Sequence, residues 1–452
     1  MPTTIKNKPL LPKLRFPEFR GDGAWEERRL GYFLNEHKIK SDGKCEVHSV
    51  SVHKGVINQK EHLGRSFAAK DTSNYHLAHP NDVIYTKSPT GDFPFGIVKK
   101  SRLNQNVIVS PLYGVFTPIS SGIGHIVDCF FESPQRAFKY LDPITQKGAK
   151  NTIQITNQGF LSGLVLFPDN LPEQQKIAEC LGSLDELIAA HSSKRAALQD
   201  HKKGLLQQLF PKRSENLEPE RSGDSRRQLS SEKDYVPALR FPEFQNAGAW
   251  VETSIQDLID RKYIIGHLDG NHGALYPRAE EFSKEGVPYI TANDFGDGRV
   301  SFDSCKFLPK ERALLFKKGV AKNGDILFAH NATVGPVAKL STSLDFVILS
   351  TTATYFRCDQ THLRNEFLMS ALRSSAFVMQ YSRVMSQSTR NQVPITAQRK
   401  FKLNVPSLPE QQKIADCLGS LDSLITAETE QIESLKTHKK GLMQQLFPNP
   451  ED

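Results

Sequence analysis

Basic side chains stand directly beside amide or hydroxyl side chains at several places in this chain. A cationic group can anchor a phosphate, while an amide or hydroxyl can donate to and accept from the edge of a base. These residue types therefore have the chemistry of nucleic-acid contact. Each occurrence also fits an ordinary solvated loop, and both interpretations stay open from the sequence. The candidate DNA-contacting residues are Lys87, Thr90, Lys150, Asn151, His330, Asn331, Arg390 and Asn391.

Motifs for catalysis or cofactor binding are missing from the sequence. It contains no Gly-rich cofactor loop after a strand, no phosphate-binding GxxxxGK[ST] loop, and no Asn-Pro-Pro-aromatic box. The fragment Asp200-His201-Lys202 resembles a nuclease motif, but it lies in a helical pattern whose second copy reads Thr437-His438-Lys439. The alternative of a nuclease or methyltransferase with fused recognition domains is therefore not favoured. We expect no catalytic residue, metal site or bound cofactor in this chain.

Length and composition indicate a multidomain cytoplasmic protein. A chain of 452 residues exceeds the size of one ordinary core, so two or more domains are expected. The net charge of +8 mildly favours a polyanionic partner. The six cysteines form no Cys-x-x-Cys pair, which excludes a zinc or redox motif of that type. With neither a signal-peptide core nor a long apolar run, we expect a cytoplasmic location and no membrane association.

Two internal repeats divide the chain into similar halves. The segments 171–211 and 408–448 align without a gap, and 28 of their 41 positions are identical. A second repeat, PKLRFPEFRGDGAW at 12–25 and PALRFPEFQNAGAW at 237–250, opens each half. Such self-similarity predicts a duplicated architecture. Each half then has an opening segment, a long middle insert and a closing segment.

Each closing segment has the pattern of one long helix. Apolar residues recur at alternating steps of four and three, which predicts a helix-pairing seam over about five heptads. Both seams share one polar break, Lys202 in the first and Lys439 in the second, and Glu428 also interrupts the second. A helix of roughly 38 residues spans about 57 Å. We expect the two helices to pair antiparallel as a rigid spacer; the alternative is that each lies on its own domain. The predicted seam residues are Ile177, Leu181, Leu184, Ile188, Leu198, Leu205, Leu209, Ile414, Leu418, Leu421, Ile425, Ile432, Leu435, Leu442 and Leu446.

The two inserts differ in sequence but share faint correspondences. Residues 80–87 align with 322–329 as a turn feeding a buried strand, and 150–156 align with 390–396. Residues 26–170 contain 17 basic and 13 acidic residues, a net of +4, while residues 251–407 contain 20 and 15, a net of +5. Two basic modules are expected of a DNA-binding protein. The predicted fold class is α+β, with two such domains and a pseudo-two-fold duplicated pair of antiparallel helices.

The predicted domain boundaries follow from the repeats. They are 1–25 and 237–250 for the opening segments, 26–170 and 251–407 for the inserts, 171–211 and 408–448 for the helices, and 212–236 for a linker. The linker is polar and charge-mixed, which is typical of a flexible segment.

The duplicated LPEQQKIA…LGSLD…HKKGL segments and LRFPEF…AW openings closely resemble the specificity subunits of type I restriction–modification enzymes. The strand-and-loop sequence GDILFAHNATVG at 324–335 also looks like one common in that family. The resemblance covers essentially the whole chain. It implies that each insert is a target-recognition domain reading one half of a two-part asymmetric DNA site, with the helices setting the distance between the halves.

The resemblance also implies partners that the composition does not reveal. The helices would dock two methyltransferase subunits that use S-adenosylmethionine, and motor–nuclease subunits using ATP and Mg would complete the complex through them. Double-stranded DNA would be the common target. The remaining alternative is a coiled-coil scaffold that binds only proteins. It explains the helices, but it gives no role to the two divergent basic inserts.

Overall fold

The computed structural model of the chain describes residues 11–41, 43–63, 71–147, 153–211, 235–296 and 298–448. The chain divides into two compact units, one formed by Met1–Ser193 with Thr429–Asp452 and the other by Lys194–Glu428. Each boundary falls inside a long helix, so each unit contains part of both long helices. The expected linker at 212–236 lies outside the described residues except for its last two positions.

The first unit contains short strands and helices. Its described strands are β1 (Glu27–Arg29), β2 (Leu34–Glu36), β3 (His48–Ser51), β4 (Gly55–Asn58), β5 (His76–Ala78), β6 (Val83–Tyr85), β7 (Val98–Lys100), β8 (Val107–Val109), β9 (Gly114–Pro118), β10 (Gln146–Lys147), β11 (Ile153–Gln154) and β12 (Leu164–Leu166). Its described helices are α1 (Gln59–Leu63), α2 (Ser121–Phe131), α3 (Pro134–Leu141), α4 (Asn157–Ser162) and the first part of α5 (Leu171–Gln208).

The second unit has the longer strands. Its described strands are β13 (Val251–Ser254), β14 (Ile264–Asp269), β15 (Val287–Ile290), β16 (Phe295–Gly296), β17 (Arg299–Val300), β18 (Lys306–Leu308), β19 (Val320–Ala321), β20 (Ile326–Asn331), β21 (Thr333–Lys339), β22 (Val347–Leu349), β23 (Ala353–Cys358) and β24 (Lys402–Val405). Its described helices are α6 (Ile255–Asp260), α7 (Lys310–Ala313), α8 (Asn365–Arg373), α9 (Ser375–Ser386), α10 (Ile395–Gln398) and the first part of α11 (Leu408–Leu446).

The main sheets of the two units have the same strand order. In the first unit the order is β2-β9-β6-β7, and in the second β14-β23-β20-β21 continues into β17 and β16. The strands of each four-strand set pair antiparallel. Both faces of β6 and β20 are buried, because alternate side chains enter two different apolar clusters. The inserts therefore share one α+β topology despite their different sequences.

The carboxylate that precedes each central strand makes the same turn in both units. Asp82 accepts a hydrogen bond from the His79 amide at 2.7 Å, and Asp325 accepts one from the Lys322 amide at 2.7 Å. The residue before each carboxylate, Asn81 or Gly324, has a positive φ of 71° or 89°. The segments 80–87 and 322–329 thus correspond in structure, but with a shift of one residue from the predicted alignment, because Asp82 is equivalent to Asp325.

The two long helices run antiparallel. In the second unit, Lys194 pairs with Glu428 and Lys202 pairs with Asp422, so residue numbers rise along α5 while they fall along α11. In the first unit, Asp185 of α5 pairs with Lys439 of α11. The α+β fold class with duplicated units and paired antiparallel helices is therefore confirmed.

None of the fifteen predicted seam residues is exposed. Ile177 and Leu181 are buried in the apolar core of the first unit, and Leu209, Ile414 and Leu418 are buried in that of the second. The predicted seam residues of α5 between these regions, such as Ile188 and Leu198, are half-buried. Both ends of α5 thus pack on unit cores, while its middle carries a narrower apolar stripe.

The opening repeat holds the first turn of each long helix. The Arg15 guanidinium donates to both oxygens of Glu173 at 2.7 Å, and the Trp25 indole donates to the same carboxylate at 3.3 Å. Arg240, Trp250 and Glu410 repeat this arrangement, with distances of 2.7, 2.8 and 3.2 Å. The glutamate in the first turn of each long helix therefore binds the opening segment.

Candidate nucleic-acid interface

The candidate interface of the second unit is the tip of the β20–β21 hairpin. β20 is a buried run from Ile326 to His330, and Asn331 emerges half-buried at its end. Ala332 at the apex has a positive φ of 63°. This left-handed backbone conformation closes the hairpin in a tight turn. The tip faces solvent, and Ala332 and Thr333 are exposed there.

A second segment pairs with this tip. Val393 donates its amide to the His330 carbonyl at 2.8 Å, and the Ala332 amide donates to the Asn391 carbonyl at 3.0 Å. The Asn391 side chain donates back to the Ala332 carbonyl at 3.4 Å. Asn331 is therefore brought together with Arg390 and Asn391, which lie far from it in sequence. The side chains of Arg390 and Asn391 are exposed there.

His330 lies beneath this surface, which corrects the expectation that it contacts DNA directly. Its side chain is 2% exposed, and both ring nitrogens are buried without a hydrogen-bond partner among the described residues. Burial lowers the pKa of His330, so the ring is neutral at pH 7. The backbone of His330 joins three segments, because its amide donates to the Thr352 carbonyl and its carbonyl accepts from Val393.

The matching hairpin of the first unit carries Lys87 and Thr90. Lys87 follows β6 with a positive φ of 60° and packs against Gly96, where an added Cβ would lie 2.7 Å from the Lys87 nitrogen. Thr90 and Phe93 exchange backbone hydrogen bonds at 2.9 and 3.0 Å, which leaves Thr90 exposed near the loop apex. Lys150 and Asn151 lie outside the described residues.

Lys87 is half-buried, in contrast to the exposed Arg390. Burial lowers its pKa, while the nearby Glu36 carboxylate opposes that shift. Glu36 in turn accepts a hydrogen bond from the Asn157 amide at 2.8 Å. The two units therefore present different polar residues on equivalent hairpins.

Part of the chain is similar in sequence to known proteins. A family model for the type I restriction modification DNA specificity domain matches residues 264–437, from the start of β14 into α11. The chain is 24% identical over 281 residues to the type I restriction enzyme MjaVIII specificity subunit of Methanocaldococcus jannaschii. It is 32% identical over 171 residues to the putative type I restriction enzyme MjaX specificity subunit of the same organism.

The fold has a solved counterpart. The crystal structure of the type I restriction–modification system S subunit from M. genitalium superimposes with a TM-score of 0.59 and 14% identity, covering 97% of this chain and 100% of that one. These matches support a specificity subunit of the type I restriction–modification kind. The sequence matches cover 61% and 36% of this chain, and 60% and 40% of the two M. jannaschii relatives.

The hairpin tip rests on a buried polar floor. Gln398, which is fully buried, donates to the Thr354 hydroxyl at 3.2 Å and to the Val393 carbonyl at 3.0 Å. His267 Nε2 lies 3.2 Å from Oε1 of the Gln398 side chain. Burial lowers the pKa of His267 to about 4. These contacts fix the position of the segment that presents Arg390 and Asn391.

Sequence reasoning missed the hydroxyl residues of the adjoining turn. The Thr352 hydroxyl accepts a hydrogen bond from the Ala292 amide at 2.8 Å and lies 2.6 Å from the Ser350 hydroxyl. Asn331 donates to the Thr351 carbonyl at 3.5 Å, so this turn supports the hairpin tip. The run Ser350-Thr351-Thr352 carries no charge or amide, and only its place in the fold marks it.

Among the residues that the structure describes, no helix is long and apolar enough to cross a membrane.

Proposed function

We propose that this chain is the specificity subunit of a type I restriction–modification complex, and that it reads DNA without being catalytic itself. Each unit would recognise one half of an asymmetric two-part site. The observation that carries the proposal is the duplicated hairpin with different residues at its tip. The same strand order supports Lys87 and Thr90 in one unit and Asn331, Arg390 and Asn391 in the other. A shared frame with different polar tips suits two readers of different sequences.

The tip chemistry favours double-stranded DNA as the ligand. An exposed arginine can bind a phosphate or the O6 and N7 atoms of guanine, and an exposed asparagine can pair with the N6 and N7 atoms of adenine. Arg390 and Asn391 are adjacent and exposed, so one segment offers both types of contact. Both inserts carry a net positive charge, which supports attraction to the phosphate backbone.

The long helices would set the distance between the two half-sites. They comprise 38 and 39 residues, which corresponds to about 57 Å of helix. Two readers held at a fixed separation tolerate any sequence between their half-sites but only one number of base pairs. The same helices would dock two methyltransferase subunits and, through them, the motor–nuclease subunits in the cytoplasm. S-adenosylmethionine, ATP and Mg would be bound by those partners, and the subunit would direct both methylation and cleavage.

Methylation mapping tests this proposal. The chain is co-expressed with its methyltransferase partner in a host that lacks adenine methylation, and the modified adenines are mapped across the genome. A two-part motif with a constant unread gap is the expected result. A complex that forms with a competent methyltransferase but modifies no defined motif would favour the protein-only scaffold instead.

A further inference from the structure

The first unit contains a group of potential metal ligands around the buried carboxylate of Asp82. His37 Nε2 lies 2.8 Å from Asp82 Oδ2, and His79 Nδ1 lies 3.3 Å from the same oxygen. The three ligand atoms lie within 4.8 Å of one another. The group connects the residue after β2 with the turn before β6, which are far apart in sequence.

The carboxylate is held in a fixed orientation. The Thr117 hydroxyl donates to Asp82 Oδ1 at 2.9 Å, and the His79 amide donates to Oδ2 at 2.7 Å. The Asp82 side chain is 2% exposed, while the side chains of His37 and His79 are 15% and 38% exposed. One side of the group is therefore open to solvent, so a water ligand could complete the coordination of an ion.

The equivalent carboxylate of the second unit has a different partner. The equivalent carboxylate, Asp325, receives two hydrogen bonds from the Arg357 guanidinium, at 2.9 and 2.7 Å. Arg357 follows the β23 residue paired with Ile326, and Thr117 follows the equivalent residue of β9. A permanently charged group thus neutralises Asp325, whereas Asp82 faces a hydroxyl and two imidazoles.

We propose that His37, His79 and Asp82 bind a divalent transition-metal ion, with Zn²⁺ as the preferred probe. Two imidazoles and one carboxylate are a common zinc-binding set, and they leave a fourth position for water. With Zn–N bonds of about 2.0–2.1 Å, the ligand atoms of a tetrahedral site lie about 3.3 Å apart. The distances of 2.8 and 3.3 Å therefore need only small side-chain shifts. The ion would join β2 to the turn before β6 and stabilise the first unit.

A second group in the same unit lacks these properties. His125, Cys129 and Asp185 also offer three converging ligand atoms. Both oxygens of Asp185 already bind cations, since Lys439 lies 2.6 Å from Oδ1 and Arg102 lies 2.9 Å from Oδ2. An incoming metal ion would have to displace these charges, so the proposal concerns the Asp82 group only.

Zinc titration of the metal-stripped full-length chain tests the proposal. Calorimetry against a competing chelator should show one equivalent of bound Zn²⁺, together with a rise in the unfolding temperature. His79→Ala removes a ligand that is partly exposed and should weaken binding by more than tenfold. His53→Ala replaces an exposed histidine elsewhere in the first unit and should leave the affinity unchanged.

The identity of the ligands can be checked independently. Cobalt substitution should give the visible absorption spectrum of a site with nitrogen and oxygen ligands in the natural chain, but not in His79→Ala. Absence of stoichiometric binding overturns the proposal, as does equal affinity in His79→Ala. Loss of the bound equivalent in Cys129→Ser but not in His79→Ala would place the ion in the second group and also overturn it.

Discussion

Lys439 of α11 donates a hydrogen bond to Asp185 of α5, with 2.6 Å between Nζ and Oδ1. The duplication repeats this pair as Lys202 with Asp422, with the helices exchanged. The two copies differ in their surroundings. Lys439 is 5% exposed and also binds Glu132 at 2.8 Å, whereas Lys202 is half-buried. The lysine–aspartate pair is thus buried around Lys439 and more accessible to solvent around Lys202.

Replacing the buried Lys439 should destabilise the protein more than replacing the more accessible Lys202. In Lys439→Met, Glu132 and Asp185 lose a cation in a buried place, so we expect local destabilisation by about 3 kcal/mol. Lys202→Met leaves a more solvated carboxylate and should cost about 1 kcal/mol. Hydrogen exchange of the helix amides around each lysine measures the local opening free energy. Equal effects would show that the difference in burial has no energetic consequence.

The Arg15–Glu173 pair provides a second test, directed at the opening repeat. Glu173→Gln leaves a largely buried guanidinium without its counter-ion, so we expect a loss of about 3 kcal/mol in the first turn of α5. Glu18→Gln breaks an exposed ion pair with Lys176 and should leave this turn unchanged. Exchange protection of residues 173–178 distinguishes the two variants. Equal protection in both would mean that the opening segment does not hold the helix.

The DNA-contact prediction can be tested with two exposed arginines. Arg390→Ala should weaken DNA binding. If this side chain contacts a phosphate, the slope of the logarithm of the binding constant against the logarithm of the salt concentration should also fall by about one. Arg261→Ala is the control, because it removes the same charge just before β14, at the opposite end of that strand from Asp269. It should have little effect on DNA binding. Fluorescence anisotropy of the methyltransferase complex on its mapped site, measured against salt, gives both quantities. Identical losses in the two variants would indicate only a general charge effect.

Asn391 should act on specificity rather than on general affinity. Asn391→Ala should cost about 1–3 kcal/mol on the natural site and relax the preference at one base position. Binding to an unrelated duplex should stay unchanged, because a base contact contributes nothing there. Methylation mapping of the variant complex would reveal the relaxed position. An unaltered motif would remove Asn391 from the reading surface.

The pKa of His267 predicts acid sensitivity in the second unit. Burial lowers this pKa from 6.5 to about 4, so between these values the unfolded chain binds a proton that the folded chain does not. The stability contribution is therefore complete above about pH 6.5 and is lost as the pH falls toward 4. The largest slope for one such histidine is about 1.4 kcal/mol per pH unit.

Calorimetry at pH 7.5 and pH 5 checks this expectation. His267→Gln should reduce the loss of unfolding temperature at the lower pH, because the titrating group is gone. His438→Gln replaces an exposed histidine on α11 and serves as the control. The same acid loss in His267→Gln as in the natural chain would contradict the argument.

The sequence predicted those features that depend on local periodicity. The heptad pattern indicated two long helices, and the structure has them at Leu171–Gln208 and Leu408–Leu446. The duplication likewise indicated one fold for both inserts. Pairing between distant segments was beyond such reasoning, because it depends on sheet topology. The binding of Glu173 by Arg15 and the burial of His330 beneath the hairpin tip both arise in this way.

The convergence of Arg390 and Asn331 shows the same limit at the candidate site. Each residue stood out by its type and its neighbour, but nothing in the sequence placed them on one surface. Pairing of the hairpin tip with residues 391–393 does so. The ligand group of Asp82 was missed for the same reason, since His37 and His79 are 42 positions apart in the chain.

A heptad insertion tests the helices as the element that sets the distance between half-sites. One heptad is added to both α5 and α11 at the register where Lys194 pairs with Glu428, which preserves the antiparallel seam. Seven residues add about 10.5 Å, which corresponds to about three base pairs at 3.4 Å each. Methylation mapping should then show the same two half-sites with an unread gap longer by about three base pairs. Insertion into α5 alone shifts the seam against its partner and should abolish methylation. An unchanged gap with both insertions present would mean that another element fixes the spacing.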